Sequence, residues 1–164
     1  EVAYASPVIV STESFGVRPG NPENILTIAD VLERPDLRVG VVPGGFEQGI
    51  LETAGVGAGQ IINVTDARGG ADALNADRID AFLLPTLSLR ELEGVEVTEP
   101  IEDAPSTGSS AAFRTEDQDF LDAYNEELES FKTEPEFAEI LEKWGFDPTV
   151  VEGVTTEELC AVDG

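Results

Sequence analysis

Residues Val39-Gly40-Val41-Val42 form an unbroken apolar run, followed at once by Pro43-Gly44-Gly45 and then by a helix-like stretch from Phe46 to Ala54. A run that is apolar at every position suits a strand covered on both faces, as in a parallel sheet. Two consecutive glycines free the backbone for positive φ and allow another molecule to come close. The helix that follows presents unpaired N–H groups and the positive end of its dipole above the turn, a place suited to an anionic group. A plain strand-to-helix connection is the ordinary alternative for the same residues.

The flanking segments repeat this alternation. Thr27 caps a short helix with Asp30 three residues on, and Pro35 ends it. Gln60–Val64 reads as a strand, and Gly69–Ala76 as a helix that buries Ala71, Leu74 and Asn75. Arg78–Leu84 is a further buried strand; Pro85-Thr86 turns it into a helix over Leu87–Leu92, and Val95–Val97 is a short strand. Strand and helix therefore alternate between Asn21 and Glu99, which predicts an α/β fold with a mostly parallel sheet flanked by helices.

The style changes after Pro105. A polar connection leads to a strand at Ala111–Arg114, and Thr115–Gln118 reads as a capping box opening a long helix to about Lys132. Leu121, Tyr124, Leu128 and Phe131 give that helix its stripe. Phe137, Ile140, Leu141 and Trp144 stripe a second helix, which Gly145 ends. Both stripes are expected to be core packing. Thr155–Cys160 caps one last helical turn, and the opening segment Tyr4–Arg18 is extended.

Nine basic residues stand against 34 acidic ones, a net charge of −25. That field repels nucleic acid and anionic membrane surfaces. The acids are spread over every expected helix, and such a hydrated acidic coat predicts a halophilic protein, whose self-repulsion salt would screen. No stretch approaches the roughly 18 apolar residues that a membrane span needs. With no initiator Met and no signal-peptide pattern, the chain reads as a processed piece of a longer protein.

The chain contains no His, so neither a Ser-His-Asp system nor a His-based metal site can be built. Cys160 is the only cysteine, and its acidic surroundings disfavour a thiolate. Asp117 and Asp119 lack the glycine and the later acids of a calcium loop and read as helix-start acids. No metal, cofactor or catalytic group is expected.

The order of the pieces resembles a known family. A Ser-Pro segment enters a strand ending Arg18-Pro19-Gly20-Asn21-Pro22. The glycine-turn unit follows, then Ala73–Ala81 with its Arg-Ile-Asp-Ala, and a returning Phe113-Arg114 strand before paired helices ending Trp144-Gly145. The chain resembles the small-solute-binding proteins of ABC importers (family 3, type 2 periplasmic-binding fold), over about the second half of such a protein. Within that family it is most similar to the ectoine/hydroxyectoine-binding members, on Pro43–Glu47, Arg78–Leu84, Leu87–Leu92, Val95–Pro100 and Thr155–Cys160.

The resemblance implies that residues 1–9 end lobe one and enter the first hinge strand, that 10–108 form lobe two, and that 109–164 are the returning strand and C-terminal helices. The hinge strands would be Val8–Ser11 and Ser109–Phe113, and the first lobe would be missing. It also implies a small zwitterionic solute as ligand, an ABC permease as partner, and a place outside the cytoplasmic membrane, attached to its outer face. Amides of Gly44, Gly45 and Phe46 would hold the ligand carboxylate, with the Thr86 hydroxyl assisting. Phe46 would face either ligand or core, and Glu47 would be a ligand contact or, more simply, a first-turn acid. Amino-acid binders of the family usually carry an Asp where Pro85-Thr86 stands, which argues for a cationic group other than a primary amine. A polar amino-acid binder, a sensing domain or a dehydratase of the same fold are the alternatives. As an isolated piece, the chain is expected to expose apolar surface around Val8–Val10 and Phe113.

Overall fold

In the computed structural model, which describes residues 2–161, the chain gathers into two units, one made of Thr12–Pro105 and the other of the residues up to Ser11 together with those from Ser106 on. The first and the last three positions of the segments expected above lie outside the described residues.

The Thr12–Pro105 unit is a five-stranded sheet with helices on both faces. In chain order its elements are β3 (Glu13–Val17), α1 (Ile28–Glu33), β4 (Val39–Val41), α2 (Phe46–Thr53), β5 (Ile61–Asn63), α3 (Ala67–Asn75), β6 (Ala81–Pro85), α4 (Thr86–Arg90) and β7 (Glu96–Val97). The strands lie in the order β5-β4-β6-β3-β7. β4 pairs parallel with β5 and β6, while β3 runs against β6 and β7, so the sheet is mostly parallel with one reversed strand.

Alternation along each strand fills two core layers. Phe15, Val17, Val39, Val41, Ala81 and Leu83 point to the layer under α1 and α2, where Ile28, Val31, Ile50 and Leu51 meet them. Phe82 and Leu84 point the other way, against Leu74 and Leu89. The Phe82 ring lies against Gly70 of α3 so closely that a Cβ there would collide with it. The parallel strands are pinned at their amino ends by Arg38, whose Nε and guanidinium nitrogen donate to the Asp80 carboxylate at 3.0 and 2.9 Å. Gln60 donates through its amide to the carbonyls of Val31, Arg34 and Leu37, closing the end of α1.

The other unit pairs β1 (Val2–Tyr4) with β9 (Ala112–Arg114), and β2 (Ile9–Ser11) with β8 (Thr107–Ser109), all antiparallel. It adds α5 (Gln118–Lys132), α6 (Pro135–Lys143), a 3-10 turn at Pro148–Val151 and α7 (Thr156–Cys160). Val10, Phe137, Leu141 and Val151 form its core. Thr156 donates its hydroxyl to the Ala5 carbonyl at 2.6 Å, and α7 carries the capping box expected at Thr155. No helix among the described residues is long and apolar enough to cross a membrane.

Several local expectations need correction. The second stripe is only half core: Phe137 and Leu141 are buried, whereas Ile140 and Trp144 are exposed, Trp144 by 69%. Asn75 is exposed and Ala73 buried in its place. No capping box forms at Thr115, because α5 begins at Gln118 and the carboxylate of Asp117, its N-cap residue, is bound by Arg114. β6 begins at Ala81 rather than Arg78, since Asp80 is held by Arg38, and α4 begins at Thr86. The apolar surface expected at the hinge is largely covered, with Val10 buried and Phe113 packed on Phe120 and Tyr124 at centroid distances of 5.4 and 5.3 Å.

Candidate functional site

The carboxyl ends of parallel strands are where open α/β sheets bind ligands. Here that edge holds the turn after β4, the start of α4 after β6, and the beginning of β3, because Glu13 is the partner of Pro85. Three separate stretches of sequence thus reach one rim.

Gly44 takes φ of 74°, the left-handed region that only glycine enters freely, and this reverses the chain into α2. The Gly45 N–H donates to the Val42 carbonyl at 3.1 Å, and the Gly44 N–H to Gln48 Oε1 at 2.9 Å. Two of the three amides expected to face a ligand, those of Gly44 and Gly45, are therefore already engaged within the turn. The N–H groups of Phe46 and Glu47 are different. Gly45, the N-cap residue, supplies no side-chain acceptor, and among the described residues nothing accepts from either amide. The Phe46 side chain is 44% exposed, so it is surface above the turn rather than core.

Glu47 is buried. Its Oε2 lies 2.7 Å from where a Cβ at position 45 would be, so only glycine leaves room for the carboxylate to fold back against the turn. Thr86 is buried too. Its hydroxyl donates to the Thr12 carbonyl at 2.9 Å and lies 2.7 Å from Ser14 Oγ and 3.0 Å from Thr12 Oγ1. Its N–H also donates to the Thr12 carbonyl. Thr86 thus stitches β3 to β6 from below the rim. Of the five residues singled out from sequence, the turn brings Gly44, Gly45, Phe46 and Glu47 together, and Thr86 stands at the neighbouring strand end.

Sequence reasoning missed Glu13. It opens β3 in phase with Phe15 and Val17, so its side chain enters the apolar layer under α1 and α2. It is 1% exposed, and neither carboxyl oxygen has a hydrogen-bond partner among the described residues. Burial first, and the charge of Glu47 second, push its pKa up to about 7. The only signal in the sequence is its phase, an acid two and four residues before the apolar Phe15 and Val17.

At the opposite end of the sheet, burial works to raise the Asp80 carboxyl, but hydrogen bonds from the Arg38 side chain and backbone and the charges of Arg38 and Arg18 hold it below its usual range. That pair is architecture, since it joins the amino ends of β4 and β6. Among the described residues no group of three His, Cys, Asp or Glu side chains is placed to hold a metal ion.

No protein-family model matches the chain. Its fold matches the crystal structure of EhuB in complex with hydroxyectoine, with a TM-score of 0.82 and 36% identity, over 98% of this chain and 65% of that one. A curated relative, a probable amino-acid ABC transporter periplasmic-binding protein of Sinorhizobium fredii, is 25% identical over 98% of this chain and 57% of its own length. The ancestral amino acid-binding protein AncCDT-1, a precursor of cyclohexadienyl dehydratase, shares the fold at a TM-score of 0.67 and 18% identity. The chain thus spans between about half and two thirds of the proteins it matches.

Proposed function

We propose that this chain, a member of the solute-binding proteins with the type 2 periplasmic-binding fold, belongs to a binding component that delivers ectoine, hydroxyectoine or a similar zwitterion to an ABC permease outside the cytoplasmic membrane. The observation that carries this reading is the turn above β4, where two unclaimed amides, Phe46 and Glu47 N–H, open a helix beside an exposed aromatic ring. A ligand carboxylate fits those donors and the dipole end behind them. The Gly44 amide would join only if Gln48 let go of it. An amidinium, weakly hydrated and delocalised, suits an aromatic face such as Phe46. Thr12–Pro105 would be the second lobe, a first lobe would supply the other wall, and closure of the two would trap the solute. The likeness to EhuB in complex with hydroxyectoine supports a compatible solute over an amino acid, as does Pro85-Thr86 at the strand end where the resemblance leads one to expect the acid of amino-acid binders.

Isothermal calorimetry on the complete protein tests this. Hydroxyectoine and ectoine are expected to give saturable heat, and arginine and glutamine none. Heat from arginine or glutamine alone would make the protein an amino-acid binder instead.

The net charge of −25 supports a protein adapted to concentrated salt. Its thermal midpoint is expected to climb steadily as KCl rises from dilute to about molar, as screening relieves self-repulsion. A midpoint that falls or stays level over that range would remove the halophilic assignment.

A further inference from the structure

Glu13 is the buried titratable group that the reading above leaves unused. Its surroundings offer its charge no compensation. The charge that acts on it comes from Glu47 of α2, itself a buried acid. The segment after β7 donates the Ile101 N–H to the Glu13 carbonyl, and its own charged residues, Glu99 and Glu102, are acids in solvent. β6 lies alongside with Leu84 and Pro85, neither of them ionisable. Among the described residues no Arg or Lys pairs with Glu13, and both its oxygens are without a partner. An ionised Glu13 would therefore place a second unshielded negative charge below the turn whose free amides look out for an anion.

We propose that Glu13 is a positioning residue for ligand binding: carrying a proton, it lets Glu47 stay folded back beneath the turn and leaves the Phe46 and Glu47 amides free for a ligand carboxylate. Without that proton, repulsion drives Glu47 outward, toward the donors the ligand needs. The proton balance is simple. The protein with Glu13 ionised, one solvent proton and the ligand carboxylate give a complex in which Glu13 is neutral and the ligand keeps its charge. Binding takes up a proton, and affinity falls as pH rises past neutrality. Burial and the Glu47 charge, which bring Glu13 to about 7, put this transition within reach of ordinary conditions. The inference rests on the functional reading above.

Two measurements on the complete protein test it, and they separate its failure from that of the reading. Without ligand, infrared difference spectra should show a protonated carboxyl band at about pH 6 that disappears towards about pH 8 and is missing in Glu13→Gln. In Glu47→Gln the same band should titrate at lower pH. If Glu13 shows no such band, it is ionised throughout and the inference fails, whatever the protein binds. With hydroxyectoine as probe, calorimetry in two buffers of different ionisation heat should show net proton uptake, with affinity about tenfold weaker at about pH 8.5 than at about pH 6. Glu13→Gln should lose both effects and bind at high pH at least as well as the parent. Proton release instead of uptake would place the ligand's cationic group against Glu13 and overturn the proposal, as would an unchanged pH profile in Glu13→Gln. Calorimetric silence at every pH, with the infrared band present, would sink the functional reading and the ligand linkage with it.

Discussion

Phe82→Ala is expected to destabilise the Thr12–Pro105 unit by about 4 kcal/mol, enough to leave it marginal. The side chain is fully buried in the middle of β6, between the sheet and α3. Three features make its loss hard to repair. Gly70 presents bare backbone to the ring, Gly40 has its Cβ position 3.2 Å from Phe82 Cδ2, and Ile79 is already closed over Gly40. No flexible side chain at either glycine can swing into the void, so the cavity term adds to the lost transfer energy. Urea unfolding followed by circular dichroism measures this. Trp144→Ala serves as contrast: that ring is 69% exposed, and its removal should shift stability by no more than about 0.5 kcal/mol. Equal losses for the two variants would mean that the layer around Phe82 is not the core described here.

The second large effect concerns pH. Glu13 has a folded pKa of about 7 against an ordinary value of 4.5. Its contribution to stability is therefore complete below about 4.5, shrinks as the unfolded chain ionises first, and is gone once pH passes about 7. Each pKa unit is about 1.4 kcal/mol, so the full swing is about 3 kcal/mol. Glu13→Gln keeps the shape without the titration. It should match the parent at about pH 4.5 and exceed it by about 3 kcal/mol at about pH 8. Asp30 and Asp80 act in the opposite sense. Their folded pKa values lie below 3.8, so their contribution is present above that value and is lost as pH falls through the lower one. The window for Glu13 is thus separate from theirs, and denaturant midpoints at the two pH values isolate it. A parent protein whose stability is flat between them would show that Glu13 is solvated in solution.

How far the chain could be read before folding depended on what each residue's neighbours decide. Val39–Thr53 was legible because a continuous apolar run followed by glycines and a helix former permits few alternatives, and the sheet direction followed from the alternation around it. The helix stripes were less so. Period 3.6 places Ile140 and Trp144 beside Phe137 and Leu141, but it does not say how wide a face the core covers, and these two fall outside it. Which amides of the turn stay unpaired was not legible: that Gln48 would reach back to Gly44, and that Gly45 would close on Val42, depends on rotamers and local geometry. Glu13 was overlooked because one acid in an acidic chain carries no contrast. Only its phase with Phe15 and Val17 sets it apart, and that phase means burial only once β6 and α2 are in place.

One last consequence follows from the pairing of β2 with β8. Ser11 and Thr107 are direct antiparallel partners, so the chain leaves for Thr12–Pro105 and returns at points only about 5 Å apart. A segment with its own core whose two ends nearly touch is topologically an insert. It can be lifted out and rejoined through a short bridge, or replaced by a shorter loop, without rethreading what remains. Each half of the chain is in this sense a separate engineering part, with a single doorway between them.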